Sequence, residues 1–148
     1  MVIIPFAAAT IAIGIWVGSI IFQSLIVAPV VFSALDEKGA RGVLRGVFPR
    51  FFRLGIGCSG FALLALLAAG LLAGWSGLVA PLVAAAVMTL LACIALYLVP
   101  AINAARDAGD AGAARFRRLH SLSVALTVAS LVVGIGLLGA VGAAAAGS

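Results

Sequence analysis

Thirteen charged side chains sit in two short blocks of this 148-residue chain, and the rest of it carries none. The first block is Asp36, Glu37, Lys38, Arg41, Arg45, Arg50 and Arg53; the second is Arg106, Asp107, Asp110, Arg115, Arg117 and Arg118. A charge in hydrocarbon is costly, so in a chain otherwise apolar the charges mark where the backbone must leave a bilayer. Hydrophobic residues make up 66% and charged residues 9%, against about 45–50% and about 25% in a soluble domain. The expectation is an all-α integral membrane protein of one domain: a four-transmembrane-helix antiparallel bundle, with a short interfacial helix between spans one and two.

Span boundaries follow from charge, proline and turn residues. The uncharged run 1–35 reaches roughly 50 Å as a helix, more than the ~30 Å hydrocarbon core requires, and predicts span one near 5–32. The start has no positively charged region ahead of its apolar run, so span one is expected to be retained rather than cleaved as a signal peptide. Pro29 frees the Leu25 carbonyl and is expected to kink the end of that span. In 36–48, Val43, Leu44, Val47 and Phe48 recur at helical spacing with Arg41 and Arg45 largely opposite, which predicts the interfacial helix. Phe48-Pro49 is expected to end it, with Pro49 opening span two over 49–75. Trp75-Ser76-Gly77 reads as a tight turn, followed by span three over 78–103. Asp110 is the expected N-cap of a helix entering span four, 115–142.

Every Lys and Arg falls in the first or third connection. Positive-inside then puts both charged connections in the cytoplasm and both termini outside, in a bacterial inner membrane if the Arg-, Ala- and Gly-rich usage reflects a GC-rich bacterial genome. Arg41, Arg45, Arg50, Arg53, Arg115, Arg117 and Arg118 are the expected contacts to anionic lipid headgroups. The net charge of +5 is no nucleic-acid signal, because the basic residues flank apolar spans. Gly14-x-x-x-Gly18, Gly70-x-x-x-Gly74 and Ser130-x-x-x-Gly134 are small-residue patterns that let helices approach closely. Packing inside the bundle is one reading; a homo-oligomer face or a membrane protein partner is the other.

No Asp, Glu, Lys or Arg lies inside a span, which counts against ion-driven transport and against acid–base enzymology; the expectation is a non-enzyme without a cofactor. Gln23, Asn103, His120 and Ser123 are polar groups near the cytoplasmic ends of spans one, three and four. Each has a structural reading, a hydrogen bond to a neighbouring helix. The functional alternative is a shared polar binding pocket. His120 and Cys58 fall at broadly similar depth and form the one conceivable soft-metal pair, the plain alternative being an interfacial histidine and a buried thiol acting as a small hydrophobe. No CxxC, HExxH or phosphate-loop pattern is present.

Three local patterns carry a family resemblance: Leu44-Arg-Gly-Val-Phe48-Pro49-Arg-Phe51-Phe52 followed by Gly57-Cys58; Val99-Pro100-Ala-Ile-Asn103; and Phe116-Arg-Arg-Leu119-His120-Ser121-Leu122-Ser123. In this order the chain resembles the small four-span family typified by transmembrane protein 205, known among bacteria as a domain of unknown function. The resemblance implies a four-helix membrane fold, with Phe48, Pro49, Pro100 and Phe116 as its structural motif positions. The animal member's association with resistance to platinum drugs implies handling of a soft metal. The function expected is therefore the binding or passage of a small solute or soft metal ion. The alternative is a structural or accessory subunit, or a lipid-contacting scaffold, of a larger membrane complex.

Overall fold

The computed structural model describes residues 3–146 and is entirely helical. Helix α1, Ile3–Phe22, passes through a single π turn, Gln23–Val27, into α2, Ala28–Ala34. After Leu35-Asp36 the chain turns back as α3, Glu37–Ala73. Helix α4 is Val79–Asp107, and a 3-10 turn, Gly109–Gly112, leads into α5, Ala113–Ala146. The four arms Ile3–Ala34, Glu37–Ala73, Val79–Asp107 and Gly109–Ala146 are each long and apolar enough to cross a membrane.

The arms form a ring in chain order. Each packs on its predecessor and successor, α1 closes the ring against α5, and the two diagonals make no contact among the described residues. Particular pairs show that neighbours run antiparallel. Thr89 Oγ1 donates to Ser59 Oγ at 3.0 Å midway along α3 and α4, while Arg45 Nη2 reaches Asp107 Oδ1 at 2.5 Å near one end. This arrangement brings both charged blocks to the same end of the bundle. The Trp75 turn is at the other end.

Trp16 ties three of the four arms together. Its indole N–H donates to Ser130 Oγ of α5 at 3.0 Å, in a buried position. Its ring lies against Gly55 of α3, where an added Cβ would come within 2.6 Å of it, and 4.7 Å from the Phe51 ring. Only a residue without a side chain admits the indole there. Gly134, one turn beyond Ser130, gives the same close approach to Val17. The Ser130-x-x-x-Gly134 pattern thus forms the α1–α5 seam.

The other two small-residue patterns have different roles. Gly14 and Gly18 face outward, and a methyl group added at either would meet nothing within 4 Å. Gly70 makes room for the Trp75 ring, which would lie 2.5 Å from an added Cβ, and Gly74 ends α3 at φ +93°. That pair therefore shapes a turn rather than a helix crossing.

Two expectations are corrected. There is no separate interfacial helix: α3 runs unbroken from Glu37 through Pro49 to Ala73. The reason is a continuous buried stripe, Ala40, Leu44, Phe52, Gly55, Ser59, Ala62, Leu66 and Ala69, at helical spacing on both sides of the proline. Packing of that stripe outweighs the one backbone bond that Pro49 cannot make. Helix α3 starts with Asp36 as N-cap, its Oδ1 accepting the Gly39 N–H at 2.9 Å. Asp110 does not cap the fourth arm; it lies inside the 3-10 turn, and no side chain caps that turn.

Inside the ring the side chains are largely small: Ala9, Ala12, Ala62, Ala69, Ala85, Ala92 and Ala95 are buried. Outside, large apolar residues are bare on every arm, including Ile11, Leu64, Leu90 and Val132. Monomeric soluble proteins rarely leave apolar patches of that extent exposed.

The Trp16 contacts are testable in folding measurements on detergent-solubilised protein. Ser130→Ala leaves a buried indole N–H without an acceptor and is expected to cost ~1–2 kcal/mol. Gly55→Ala is expected to destabilise by a similar amount or more through overpacking, ~1–3 kcal/mol. Gly14→Ala, whose methyl meets nothing, is expected to cost nothing. Equal responses at Gly14 and Gly55 would contradict this packing.

Candidate functional site

A cavity of about 500 Å³ opens among the four arms at the charged end of the bundle. Its walls are mostly apolar, with Ile20, Phe51, Phe52, Val99 and Leu131 at the inner end. The polar groups lie toward the charged end: Gln23, Asn103, Arg106, His120 and Ser123, with Arg45 at the rim. Along α5 the lining runs from Phe116 to Leu131, so the hollow is elongated, about 22 Å at the helical rise per residue. Its size falls within the roughly 300–1,000 Å³ range of small-molecule sites.

Local backbone features explain the hollow. Pro29 has no N–H to offer the preceding turn, and just before it the helix widens into the π turn, where the Ala28 N–H reaches the Gln23 carbonyl. Beyond that turn the α2 backbone runs beside α3 and does not come close to the α5 backbone, and α2 buries none of its residues. The bundle is closed around Trp16, and near its charged end the α2 and α5 backbones stand apart, with Ala28 and Phe32 of α2 and Phe116 and His120 of α5 lining the cavity between them. The kink expected at Pro29 takes the form of this π turn.

The four residues singled out as a polar pocket, Gln23, Asn103, His120 and Ser123, line this one cavity from three arms. Gln23 is 8% exposed, and its Nε2 has no hydrogen-bond partner. Ser123 is buried, Asn103 half-buried, and His120 exposed at the rim. The His120 ring stacks on Phe116, with centroids 5.4 Å apart and planes 9° from parallel. Of the motif positions, Phe48 and Phe116 line the cavity, whereas Pro49 and Pro100 are interior residues of continuous helices.

Cys58 is elsewhere. It lines a shallower groove between α1 and α3 with Ala8, Ile15 and Arg53, and His120 is not part of that groove. Among the described residues no group of three or more His, Cys, Asp or Glu is disposed to hold a metal ion. The arginines of the headgroup set divide. Arg41 pairs with Glu37 one turn away, Arg45 with Asp107, and Arg50 donates to the Gly46 carbonyl at 2.7 Å. Arg115, Arg117 and Arg118 project exposed from the first turns of α5.

Arg106 belongs to the site, although its charge alone reads as a topology marker. It forms no salt bridge among the described residues, and its guanidinium lies 4.3 Å from the centroid of the Phe116 ring. The signal for it was its spacing: three residues beyond Asn103, on the same face of α4. Thr127, one turn above Ser123, is a second lining residue of this kind, its hydroxyl donating to the Ser123 carbonyl at 2.9 Å. No Asp or Glu lines the cavity, so its fixed charge is positive.

Comparison with known proteins gives one match. Residues 11–111 fit the family model described as a domain of unknown function, DUF4149. The Phe48-Pro49 and Pro100–Asn103 patterns fall inside the matched stretch, and Phe116–Ser123 lies beyond it. No curated protein matches the chain, and no solved structure does.

The unpartnered Gln23 amide has a thermodynamic consequence. A buried donor without a partner costs ~1–3 kcal/mol, so in ligand-stripped protein Gln23→Leu is expected to raise stability by ~1 kcal/mol. Thermal unfolding in mild detergent measures it. A loss of stability on that substitution would show the amide to be satisfied in the bundle.

Proposed function

The chain belongs to the DUF4149 family, whose function is unknown, and we propose that it is a non-enzymatic, multi-pass membrane protein that binds a small solute among its four helices. The observation that carries this reading is the cavity itself. Four polar residues from three arms, in a chain with few polar groups, converge on a hollow walled by apolar side chains. That combination is the usual make-up of a small-molecule site.

In this reading the four arms cross the bilayer, their bare apolar faces against lipid. The charged end lies at the cytoplasmic surface, where Arg115, Arg117 and Arg118 contact anionic headgroups at about 1 kcal/mol each. The resemblance of the three motifs to the transmembrane protein 205 family supports a role in handling a solute. The geometry favours an organic ligand over the soft metal that the resemblance implies, because Cys58 and His120 line different hollows.

A second reading is an accessory subunit of a larger membrane assembly. The outward Gly14–Gly18 face favours it, since a smooth strip on a lipid-facing helix suits a helix from another chain. Native mass spectrometry of gently extracted protein separates the two. Solute binding predicts a bound small mass that is lost in Thr127→Trp, whose indole fills the cavity. A partner polypeptide with no small mass would favour the accessory role and overturn solute binding.

Topology is tested by single cysteines in a chain lacking Cys58 and Cys93. Ser76→Cys is expected to react with a membrane-impermeant maleimide in intact cells, and Asp110→Cys only after permeabilisation. The reverse pattern would invert the proposed orientation.

A further inference from the structure

We propose that the occupant of the cavity is an anionic amphiphile drawn from the surrounding bilayer, with its acidic head beside Arg106 and its hydrocarbon tail along the inner apolar wall. This identification rests on the solute-binding reading above and names the ligand class for the same site.

Three independent observations point to it. The first is charge. Arg106 forms no salt bridge among the described residues, Glu37 and Asp107 acting on it only at longer range, and it lines a cavity with no acidic group of its own. A cation at a low-dielectric wall attracts an anion, and a guanidinium matches the planar geometry of a carboxylate or phosphate. Asn103, one turn away on the same helix, and His120 add further polar groups at that end. The Arg106 guanidinium is also held in place by the Phe116 ring beneath it.

The second observation is the unpartnered amide of Gln23, which is 8% exposed and lines the same hollow. A buried polar group without a partner in a native fold calls for an explanation. A ligand oxygen supplies one.

The third is shape and access. The hollow extends inward from its polar end to Ile20, Phe51 and Leu131, which offer only apolar contact. A polar end and a long apolar end fit a head and a chain. The α2 and α5 backbones stand apart beside the cavity, and in the membrane reading that side of the bundle faces lipid. A ligand already in the bilayer reaches that side without crossing water. A soluble ion gains nothing from the apolar inner wall.

The test uses the full chain in mild detergent, stripped of bound lipid, with cis-parinaric acid as probe. Its absorption overlaps tryptophan emission, and Trp16 lies against Phe51 at the inner end of the hollow. Saturable quenching of tryptophan emission by the acid is expected. The uncharged methyl ester is expected to bind at least about tenfold more weakly, the scale of one charge-assisted hydrogen bond. Arg106→Gln is expected to weaken the acid about tenfold and leave the ester unchanged, with Arg106→Lys recovering part of the loss. Inorganic phosphate in millimolar excess is expected not to displace the acid.

Equal binding of acid and ester, unaffected by Arg106→Gln, would overturn the anionic head while leaving a solute site intact. Displacement by inorganic phosphate would overturn the amphiphile in favour of a soluble anion. Absence of saturable quenching by both acid and ester, with no small mass carried by the gently extracted protein in native mass spectrometry, would overturn the solute-binding reading along with this one. Circular dichroism of Arg106→Gln keeps the outcome interpretable, since an unfolded variant would lose ester binding as well.

Discussion

The buried hydrogen bond from Trp16 to Ser130 is the contact on which the rest of the bundle depends. In lipid there is no hydrophobic gain from bringing two apolar helices together, so close packing and interhelical hydrogen bonds must hold them. Trp16 supplies both. Its N–H engages α5, and its ring fills the space left by Gly55 of α3 and meets Phe51. A residue on α1 thus fixes the distances to both neighbours of α1. On the α3–α4 side, Thr89 and Ser59 make a smaller version of the same bond. Small hydroxyl groups serve here: Ser59 donates its one hydrogen to the Gly55 carbonyl at 2.7 Å and accepts from Thr89, whose own hydrogen is shared between Ser59 Oγ and the Ala85 carbonyl, 2.9 Å away.

The cavity follows from where this clamp stops. Above Trp16 the ring is filled by alanines and by Ile13, Leu66, Met88 and Leu137. Toward the charged end the first arm changes character at Gln23, and the α2 backbone no longer comes close to that of α5. The Arg45–Asp107 pair still joins α3 to α4 at that end. The pair is half-exposed, so it contributes little to stability and serves mainly to hold the two helix ends in register. One side of the charged end is therefore tied, and on the other the α2 and α5 backbones stand apart beside the hollow.

Much of this was legible in the chain. Charges confined to two blocks leave three apolar stretches, and the Trp75-Ser76-Gly77 turn folds the long middle one back on itself, which foretells four arms and a bundle with one charged end. Gln23, Asn103, His120 and Ser123 stood out because polar residues are rare in the arms and these four share a depth. What escaped were features that depend on which face of a helix looks inward. Pro49 reads as a break by local rules, yet the buried stripe from Ala40 to Ala69 passes straight through it. The glycine patterns at Gly14 and Gly70 look like the one at Ser130, yet one faces outward and another accommodates Trp75. Arg106 was hidden by its own charge, which explains itself as a topology marker before any site is considered.

That double role of Arg106 shows why site and topology need not compete in a protein this small. An arginine that ends a span is obliged to lie near the headgroup layer whatever else it does. Turned outward, in the proposed membrane reading, it meets lipid phosphate, the role given there to the exposed Arg115, Arg117 and Arg118. Turned inward over Phe116, lining the cavity, it would on the proposal made above meet the same chemistry from the other side. On that proposal the protein needs no buried charge in the hydrocarbon to select an acidic ligand. It needs one cation at the boundary, held by an aromatic ring, and an apolar channel leading inward from it. The side chains at hand, few as they are, provide both.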